Sequence, residues 1–303
     1  MNYSIIIPHK NSQGLLKRCL ESIPQRDDVE IIVVDDNSDN IKEVKAVIAL
    51  FPRATFYANE GVFAGGARNT GLRYAKGERI LFIDADDFFH DGFLDVTDKY
   101  LHTDIDLVFF DTDSCDSETL EKVGTRCYAL SDGVRAKDLA SLRWRVKLCW
   151  GKLFRAQYLY DNSITFDEVK ASNDVMFSCM SSFYAKTFDI NPFTLVCSTV
   201  NCDSLCHRMN KESLDARYDV AVRFRRFAYE QGKSEYANNL LGFMFYYHDI
   251  SNWLFLKMLG QYFRDSSLRM VWDDIWNIFD SVTKIITGKK HSRRNLVKVS
   301  KSY

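Results

Sequence analysis

The sequence lacks several features that would assign a chain at once to the membrane or secreted proteins. It contains no run of about 18 apolar residues, so we expect no membrane-spanning helix. The start Met1-Asn2-Tyr3-Ser4 has neither the basic stretch nor the long apolar run of a signal peptide. The eight cysteines form no C-x-x-C pair. We therefore expect a cytoplasmic protein with reduced thiols.

An excess of charge of one sign is also missing. The formal net charge is -1, which gives no general attraction to nucleic acid, and no nucleic-acid partner is expected. Only the C-terminal stretch is one-sided, because no acidic residue follows Asp280 while several lysines and arginines do. Aromatic, amphipathic helices precede this basic stretch, a combination that also suits a membrane surface rich in anionic lipid. Contact with the inner membrane face and self-association are left open.

Two common nucleotide-binding motifs are absent as well. The glycines at 61, 65 and 66 match neither the P-loop pattern nor G-x-G-x-x-G after a strand. They could form a plain connection, or they could let the backbone approach a ligand where a helix begins. In the second case Arg68 and Asn69 would lie beside that ligand, with Arg68 supplying a fixed charge.

Strands alternate with helices over roughly the first 90 residues, which predicts right-handed crossovers and a mostly parallel sheet. The polar, acidic stretch from Thr112 to Arg126 is typical of a loop or hairpin. From about Leu214 helical periodicity and aromatic residues dominate. The fold class expected is therefore α/β, followed by a helical C-terminal region.

Three carboxylates follow a short apolar strand at Ile80 to Ile83. Asp84 and Asp86 are two residues apart, so on an extended chain their side chains point the same way. Open α/β sheets bind ligands at the carboxyl ends of their strands, and paired carboxylates favour Mg2+ or Mn2+. An isolated D-x-D is also common as an acidic surface turn, so the neighbouring motifs decide between the two interpretations.

A further carboxylate, Asp174, opens a predicted helix from Val175 to Tyr184. It is either a helix cap or a general base at a cleft. The cysteines at 202 and 206, with His207 nearby, leave a structural metal site open there.

Five stretches form a set with a characteristic order and spacing: Ser4 to Asn11, Val33 to Ser38, Gly66 to Gly71, Asp84 to Asp87 and Trp150 to Phe154. This set resembles the family 2 glycosyltransferases of the GT-A fold, of the type that builds bacterial surface polysaccharides. The resemblance covers about residues 3–215, and the C-terminal helices match no general family signature. It implies a GT-A nucleotide-diphospho-sugar transferase fold with a mostly parallel central sheet.

The resemblance implies a role for each matching position on the donor side. The turn at Pro8 and Asn11 would border the nucleotide, and Asp36, together with Asp35, would hydrogen-bond a uracil base. The remaining positions would meet the base, the ribose and a metal that bridges the diphosphate: Arg68 and Asn69 beside the base and ribose, Asp84 at the ribose and metal, and Asp86 at the metal.

On the acceptor side the resemblance implies that Asp174 is the general base. The family usually has Glu-Asp at this position, whereas this sequence has Asn173-Asp174, and that departure weakens the assignment. The Trp150 and Lys152 positions would lie on the acceptor side. His207, where the family has Tyr, would ligate the metal or only pack.

The expected function is a metal-dependent inverting glycosyltransferase that uses Mn2+ or Mg2+. It would move a sugar from a UDP-sugar to a hydroxyl of a glycan or lipid-linked glycan in surface polysaccharide synthesis. Residues 1–213 would be catalytic, with donor binding in about 1–111 and acceptor binding in about 112–213, and residues 214–303 would form the helical region with the basic tail. The alternatives are a catalytically silent glycan- or nucleotide-binding module, a sugar nucleotidyltransferase, and a membrane-docking adaptor.

Overall fold

A computed structural model describes residues 1–125, 127–200 and 210–286 of the chain. The chain divides into two compact units. The first contains the described residues up to Val200, and the second contains those from Asn210 onward. The assignment of residues 1–213 to a catalytic domain stays a prediction.

The first unit is an α/β domain built on a nine-stranded sheet. Its strands are β1 (Tyr3–His9), β2 (Val29–Asp35), β3 (Ala54–Ala58), β4 (Arg79–Phe82), β5 (Phe88–Phe89), β6 (Leu107–Asp116), β7 (Lys122–Gly124), β8 (Lys152–Arg155) and β9 (Phe188–Val200). The helices of this unit are α1 (Gln13–Glu21), α2 (Ile41–Ile48), α3 (Phe63–Tyr74), α4 (Phe93–Thr97), α5 (Tyr128–Ala136), α6 (Leu139–Arg145), α7 (Ala156–Asp161) and α8 (Val175–Tyr184).

The strand order is β3-β2-β1-β4-β8-β6-β9-β5, with β7 paired to β6. Strands β1 to β4 are parallel to one another. Strand β8 is antiparallel to both of its neighbours, so β6 and β9 run in the same direction as β1 to β4. Six of the nine described strands therefore share one direction, and the predicted mostly parallel sheet is confirmed.

The core lies on both faces of this sheet, which explains the continuous apolar run of β1. Alternate residues of a strand point to opposite faces. Ile5 and Ile7 pack in a cluster with α1 and α2, whereas Ile6 packs in a second cluster with α3 and α8. A strand buried on both faces is mostly apolar, and β1 is buried throughout with its central residues Ile5 to Ile7 all apolar.

The edge beyond β8 differs from the sequence expectation in one respect. Strand β6 continues through Asp116, because β9 pairs with it along this whole length, and only then does a hairpin lead into β7. The polar stretch from Thr112 therefore supplies sheet as well as the predicted hairpin.

The second unit is helical, as predicted, and its helices are α9 (Lys211–Glu230), α10 (Leu240–His248), α11 (Asn252–Asp265) and α12 (Leu268–Ile286). An apolar cluster from α9, α10 and α11 forms its core. A buried ion pair joins α9 to α12, with Arg225 donating to Asp274 over 2.8 Å. Within the described residues, none of the helices is both long enough and apolar enough to cross a bilayer.

Candidate active site

The three carboxylates of the Asp84–Asp87 stretch lie in a turn that directly follows β4. The backbone N–H of Ile83 still donates to Ile6, and the N–H of Asp87 donates to the carbonyl of Asp84 over 3.0 Å to close the turn. The turn therefore emerges at the carboxyl end of the parallel strands, where open α/β sheets bind their ligands.

Two side chains from other elements hold this turn at one carbonyl group. Arg18 of α1 donates to the carbonyl oxygen of Asp86 over 2.7 Å, and the hydroxyl of Thr199 donates to the same oxygen over 2.9 Å. The carboxylate of Asp87 accepts from the backbone N–H of Thr199 over 2.7 Å. Strand β9 and helix α1 thus fix the position of the turn.

One carboxylate oxygen from each of Asp84, Asp86 and Asp87 lies within 4.8 Å of the other two. A set of three hard oxygen donors at this spacing fits Mg2+ or Mn2+, both of which prefer carboxylates and keep positions for phosphate oxygens. Asp87 is buried and engaged with β9. Asp84 and Asp86 are therefore the better candidates for first contact with an ion.

Arg68 connects this turn to the loop that precedes α8. Its guanidinium forms an ion pair with Asp84 and donates to the side-chain oxygen of Asn173 over 2.7 Å. Its charged carbon also lies 5.4 Å from the centre of the Phe166 ring. Burial disfavours the charge, but nearby anionic groups, among them Asp84 and Asp174, hold the pKa of Arg68 above its ordinary value. Arg68 is thus a permanent cation at the centre of the site.

The side chain of Asn69 binds the backbone of the same loop at Phe166. Its side chain donates to the carbonyl of Phe166 over 3.0 Å and accepts from the N–H of Phe166 over 2.8 Å. It also donates to Glu168 over 3.2 Å. Contact of Asn69 with the donor stays a prediction. In the structure the nitrogen and the oxygen of its side-chain amide both hydrogen-bond to the protein backbone.

The glycines that open α3 serve this approach of the loop. A Cβ atom on Gly65 would overlap the carbonyl oxygen of Asp167, and one on Gly61 would overlap the Glu168 carboxylate. The sequence left two interpretations of these glycines open, a plain connection or a backbone approach to a ligand. In the structure the backbone approaches residues 167 and 168, so the glycines allow α3 to meet the loop that precedes α8.

The carboxyl ends of β1 and β2 form a second group of polar side chains. His9 lies 2.9 Å from Asp35 Oδ1, which also accepts from the hydroxyl of Ser38. The other carboxylate oxygen of Asp35 accepts from the backbone N–H of Ser38. Burial raises the pKa of Asp35, but these donors outweigh it and bring that pKa below its ordinary value. Asp35 is therefore an internal anchor of the turn.

Asp36 is placed differently. It accepts from the side-chain amide of Asn59 over 2.7 Å, and Lys10 lies 3.7 Å from its other oxygen. Asn11 is in the left-handed region with a φ of 50°, and its backbone N–H donates to the Ser38 hydroxyl over 2.9 Å. Pro8 is buried within β1 opposite Val34.

Asp174 is the N-cap residue of α8, yet its side chain makes no capping hydrogen bond to the helix. Burial of the carboxyl raises the pKa of Asp174 to about 6, while the positive charge of Arg68 lowers it and the negative charge of Asp84 raises it. A carboxylate with a raised pKa is a stronger base, and a pKa near the working pH suits proton abstraction. The structure thus shows no side-chain cap from Asp174, and its role as the base stays a prediction.

The two predicted acceptor-side residues lie inside the first unit. Trp150 is 6% exposed, and Lys152 is fully buried with its ammonium 3.3 Å from the carbonyl of Val146. Burial lowers the pKa of Lys152 to about 8. Between them Gly151 has a φ of +69°, and a Cβ there would lie 2.6 Å from Leu130. Contact of Trp150 or Lys152 with an acceptor stays a prediction. His207, Cys202 and Cys206 lie outside the described residues.

Sequence reasoning missed several residues that position the site. Arg18 and Thr199 hold the carboxylate turn, and Asn59 orients Asp36. Only Asn59 carried a usable signal, because it follows β3 at the same sheet edge as the other polar residues. The partners of Arg18 and Thr199 are backbone carbonyl groups far away in sequence, which no side-chain pattern reveals.

The parallel sheet, the carboxylate turn after β4 and the carboxylate before α8 together define the GT-A class of fold. The profile described as Glycosyl transferase family 2 matches residues 4–161, about half of the chain. The chain belongs to this family, as the sequence predicted. The predicted GT-A fold is also confirmed.

The chain is similar to a poly(ribitol-phosphate) beta-glucosyltransferase of Bacillus spizizenii. The two are 29% identical over 207 residues, which cover 63% of this chain and 31% of the relative. The chain thus spans about a third of that relative's length.

Two solved structures share the fold. Residues 1–349 of Staphylococcus aureus TarS in complex with UDP-GlcNAc match with a TM-score of 0.66 at 18% identity, covering 89% of this chain and 83% of that chain. The mannosyltransferase PcManGT from Pyrobaculum calidifontis, in complex with GDP-Man and Mn2+, matches with a TM-score of 0.56 at 17% identity. That match covers 96% of this chain and 82% of PcManGT. At these identities the likeness establishes the fold alone.

We predict that Asn69→Ala loosens the loop before α8. The substitution leaves the buried N–H and C=O of Phe166 without their side-chain partner, at a cost of about 1–3 kcal/mol each. Hydrogen exchange of the Phe166 amide should therefore become at least about tenfold faster. Asn162→Ala is the matched control, since Asn162 is exposed and donates one bond to Tyr158. Unchanged protection of Phe166 in Asn69→Ala would contradict this anchoring role.

Proposed function

We propose that the chain is an inverting glycosyltransferase that moves a sugar from a UDP-sugar to a hydroxyl group of a glycan acceptor. The observation that carries this proposal is the meeting of three groups at one sheet edge. The Asp84–Asp87 carboxylates, the Arg68 cation and the raised-pKa carboxyl of Asp174 come from separate elements and interact electrostatically. Family membership and a structural neighbour crystallised with UDP-GlcNAc support it.

On the donor side, Asp36 is proposed to accept a hydrogen bond from the uracil N–H. Its contact with Asn59 orients the carboxylate, and its side chain remains close to the surface at 11% exposure. Pro8 and Asn11 border the nucleotide at the adjacent turn. Arg68 and Asn69 then lie on the ribose side, with Arg68 bearing the charge that the diphosphate meets.

A divalent ion, Mn2+ or Mg2+, is proposed to be held by Asp86 and Asp84. When bound, such an ion supplies neutralising charge for the leaving diphosphate. The residues themselves set its position, because the turn is fixed by Arg18 and Thr199 before any ligand binds. Arg68 adds positive charge on the same side of the turn. The Mn2+ in the PcManGT structure supports the choice of ion.

On the acceptor side, Asp174 is proposed to take the proton from the attacking hydroxyl group. With a single base and in-line attack on the opposite face from the diphosphate, the anomeric configuration inverts. A hydrolase would instead place a pair of carboxylates around the glycosidic bond, and nothing in the sequence demands that arrangement. Asn173 stands where relatives have Glu and binds Arg68 as a neutral acceptor, so it leaves more of the Arg68 charge available to the donor.

The acceptor is proposed to be a surface glycan or its lipid-linked precursor, assembled at the cytoplasmic face of a membrane. Large aromatic side chains of α11 and α12 are exposed, including Trp253 at 70%, Trp272 at 66% and Trp276 at 59%. Trp272, Trp276 and Phe279 recur at helical spacing, so they share one face of α12. Such a face beside a basic stretch suits an anionic membrane interface.

We predict that Asp86→Asn abolishes transfer. Loss of this carboxylate removes charge stabilisation worth several kcal/mol, so turnover should fall by about 100-fold or more. The variant should also lose the stabilisation that UDP with Mn2+ gives to wild type in a thermal unfolding assay. Asp91→Asn is the control, an exposed aspartate five residues further along the chain.

Retained turnover in Asp86→Asn would contradict the metal role of Asp86. Binding of UDP with Mn2+ by wild type, without transfer or hydrolysis of any UDP-sugar in a panel, would instead favour the silent binding module.

We predict that kcat/KM falls at acid pH because Asp174 becomes protonated. A base must be ionised, and its pKa is raised to about 6. Wild-type kcat/KM should therefore fall as pH decreases through about 6, by about tenfold for each further unit. Asp174→Asn should lower kcat by about 100-fold or more, remove this fall at acid pH and keep UDP binding. Collapse of UDP binding in Asp174→Asn would show that Asp174 is not simply the base.

We predict that the exposed tryptophans bind anionic membranes. Full-length protein should co-sediment with vesicles that contain phosphatidylglycerol and much less with vesicles of phosphatidylcholine alone. Trp272→Ser combined with Trp276→Ser should reduce this binding at least about tenfold, because each removes a large apolar contact. Tyr128→Ser is the control, an equally exposed aromatic residue in the first unit at 59%. Equal sedimentation of both variants would refute the membrane face.

A further inference from the structure

We propose that His90, Asp113, Cys115 and Cys197 form a binding site for Zn2+ or a metal ion with the same preference for sulfur and nitrogen ligands. This site is separate from the carboxylate turn at Asp84–Asp87, and it does not depend on the proposed transferase activity.

Three adjacent strands bring these four residues together. Asp113 of β6 is the register partner of Cys197 in β9, and Cys197 is also paired with Phe88 of β5. Cys115 lies two residues after Asp113, so both side chains point to the same face of β6. His90 follows β5 directly and its backbone N–H donates to Leu195 of β9 over 3.1 Å. Three of the four donors therefore stand on strands, and His90 is tied to β9 through its backbone.

The distances suit a shared ion. One donor atom from each of His90, Asp113 and Cys197 lies within 4.8 Å of the other two. His90 Nε2 lies 2.7 Å from an oxygen of Asp113, and the sulfurs of Cys197 and Cys115 are 2.9 Å apart. Ligands of tetrahedral zinc are about 3.3–3.8 Å from one another, given metal–ligand distances of about 2.0–2.3 Å. Small side-chain rotations would bring the donors of His90, Asp113 and Cys197 to that spacing, and Cys115 adjoins them through its contact with Cys197.

The chemistry of the donors selects the class of metal. Two sulfurs, an imidazole nitrogen and a carboxylate oxygen form a set that zinc prefers, whereas Mg2+ and Mn2+ prefer oxygen alone. Both cysteines are free thiols, since their sulfurs are well beyond the ~2.0 Å of a disulfide bond. The two sites of this unit would thus take different ions.

An ion can reach this site from one side. The side chains of His90 and Asp113 are 32% and 18% exposed, whereas Cys115 and Cys197 are almost fully buried. Lys122 lies 3.2 Å from Asp113, and its own side chain is 80% exposed. This lysine can swing into solvent, and the ion would then replace it as the cation that neutralises Asp113.

The position of the site gives such an ion a structural effect. His90 is three residues after Asp87, and Cys197 is two residues before Thr199, which holds both Asp86 and Asp87. A metal bound to β5, β6 and β9 would cross-link the strands behind the carboxylate turn, so it should stabilise the first unit.

Cobalt titration of the full chain tests this proposal. The protein is kept under a phosphine reductant, treated with a chelator and titrated with Co2+. We expect one Co2+ to bind with a thiolate-to-cobalt charge-transfer band and the visible bands of tetrahedral cobalt, and Zn2+ to abolish both. Cys197→Ser and Cys115→Ser should each weaken or remove the charge-transfer band. Cys179→Ser, at a buried cysteine of α8, is the matched control and should keep it.

Asp113→Asn and His90→Gln keep the proposal testable if the cysteine variants fold poorly, because both residues reach the surface. Each should weaken Co2+ binding at least about tenfold. Asp86→Asn should leave the thiolate band unchanged, since the carboxylate turn contains no sulfur. Absence of the band in wild type would overturn the proposal, as would a band that all four substitutions leave intact.

Discussion

The site depends on one buried cation. Arg68 is 5% exposed and forms an ion pair with Asp84 while donating to Asn173, so it ties the end of β4 to the start of α8. Removing one partner of such a buried pair leaves an uncompensated charge, which is far more costly than the pair itself is stabilising. The same charge lowers the pKa of Asp174 and opposes the effect of burial. Arg68 therefore couples the carboxylate turn after β4 to the carboxyl of Asp174 before α8.

Around Arg68 some polar residues hold the fold together, and others are proposed to bind ligands or take part in the reaction. Asp35, Asp87 and Asn69 look from sequence like ligand-binding residues, yet each is engaged with backbone or side chains of the domain itself. Asp36, Asp86 and Asp174 stand one position away from such anchors or at the end of an element. In the Asp35–Asp36 and Asp86–Asp87 pairs, one carboxylate thus holds the turn, and its neighbour is the one proposed to meet a ligand. This division suits a site that must keep its geometry while ligands exchange.

Much of the fold could be predicted from the sequence, for a physical reason. Strands buried on both faces are mostly apolar, so the apolar runs within β1, β2 and β4 predict these strands, and each run is followed by polar residues at the sheet edge. The extension of β6 to Asp116 was not visible, because its polar residues are buried by pairing with β9 rather than by apolar packing. Long-range backbone contacts such as Arg18 to Asp86 leave no local pattern. The roles of the site residues stay predictions.

The two hydrogen bonds that the Asp86 carbonyl accepts bear on the affinity of the turn for a ligand. Arg18 and Thr199 approach that one oxygen from a helix and from a strand, so contacts within the domain set the shape of the turn. A flexible acidic loop would lose conformational entropy on ordering, at about 1–2 kcal/mol for each residue fixed. Here that loss occurs during folding, and the binding free energy is not reduced by it. The turn is preorganised, and selectivity for the ion proposed to bind there would follow from its fixed size rather than from its capacity to adapt.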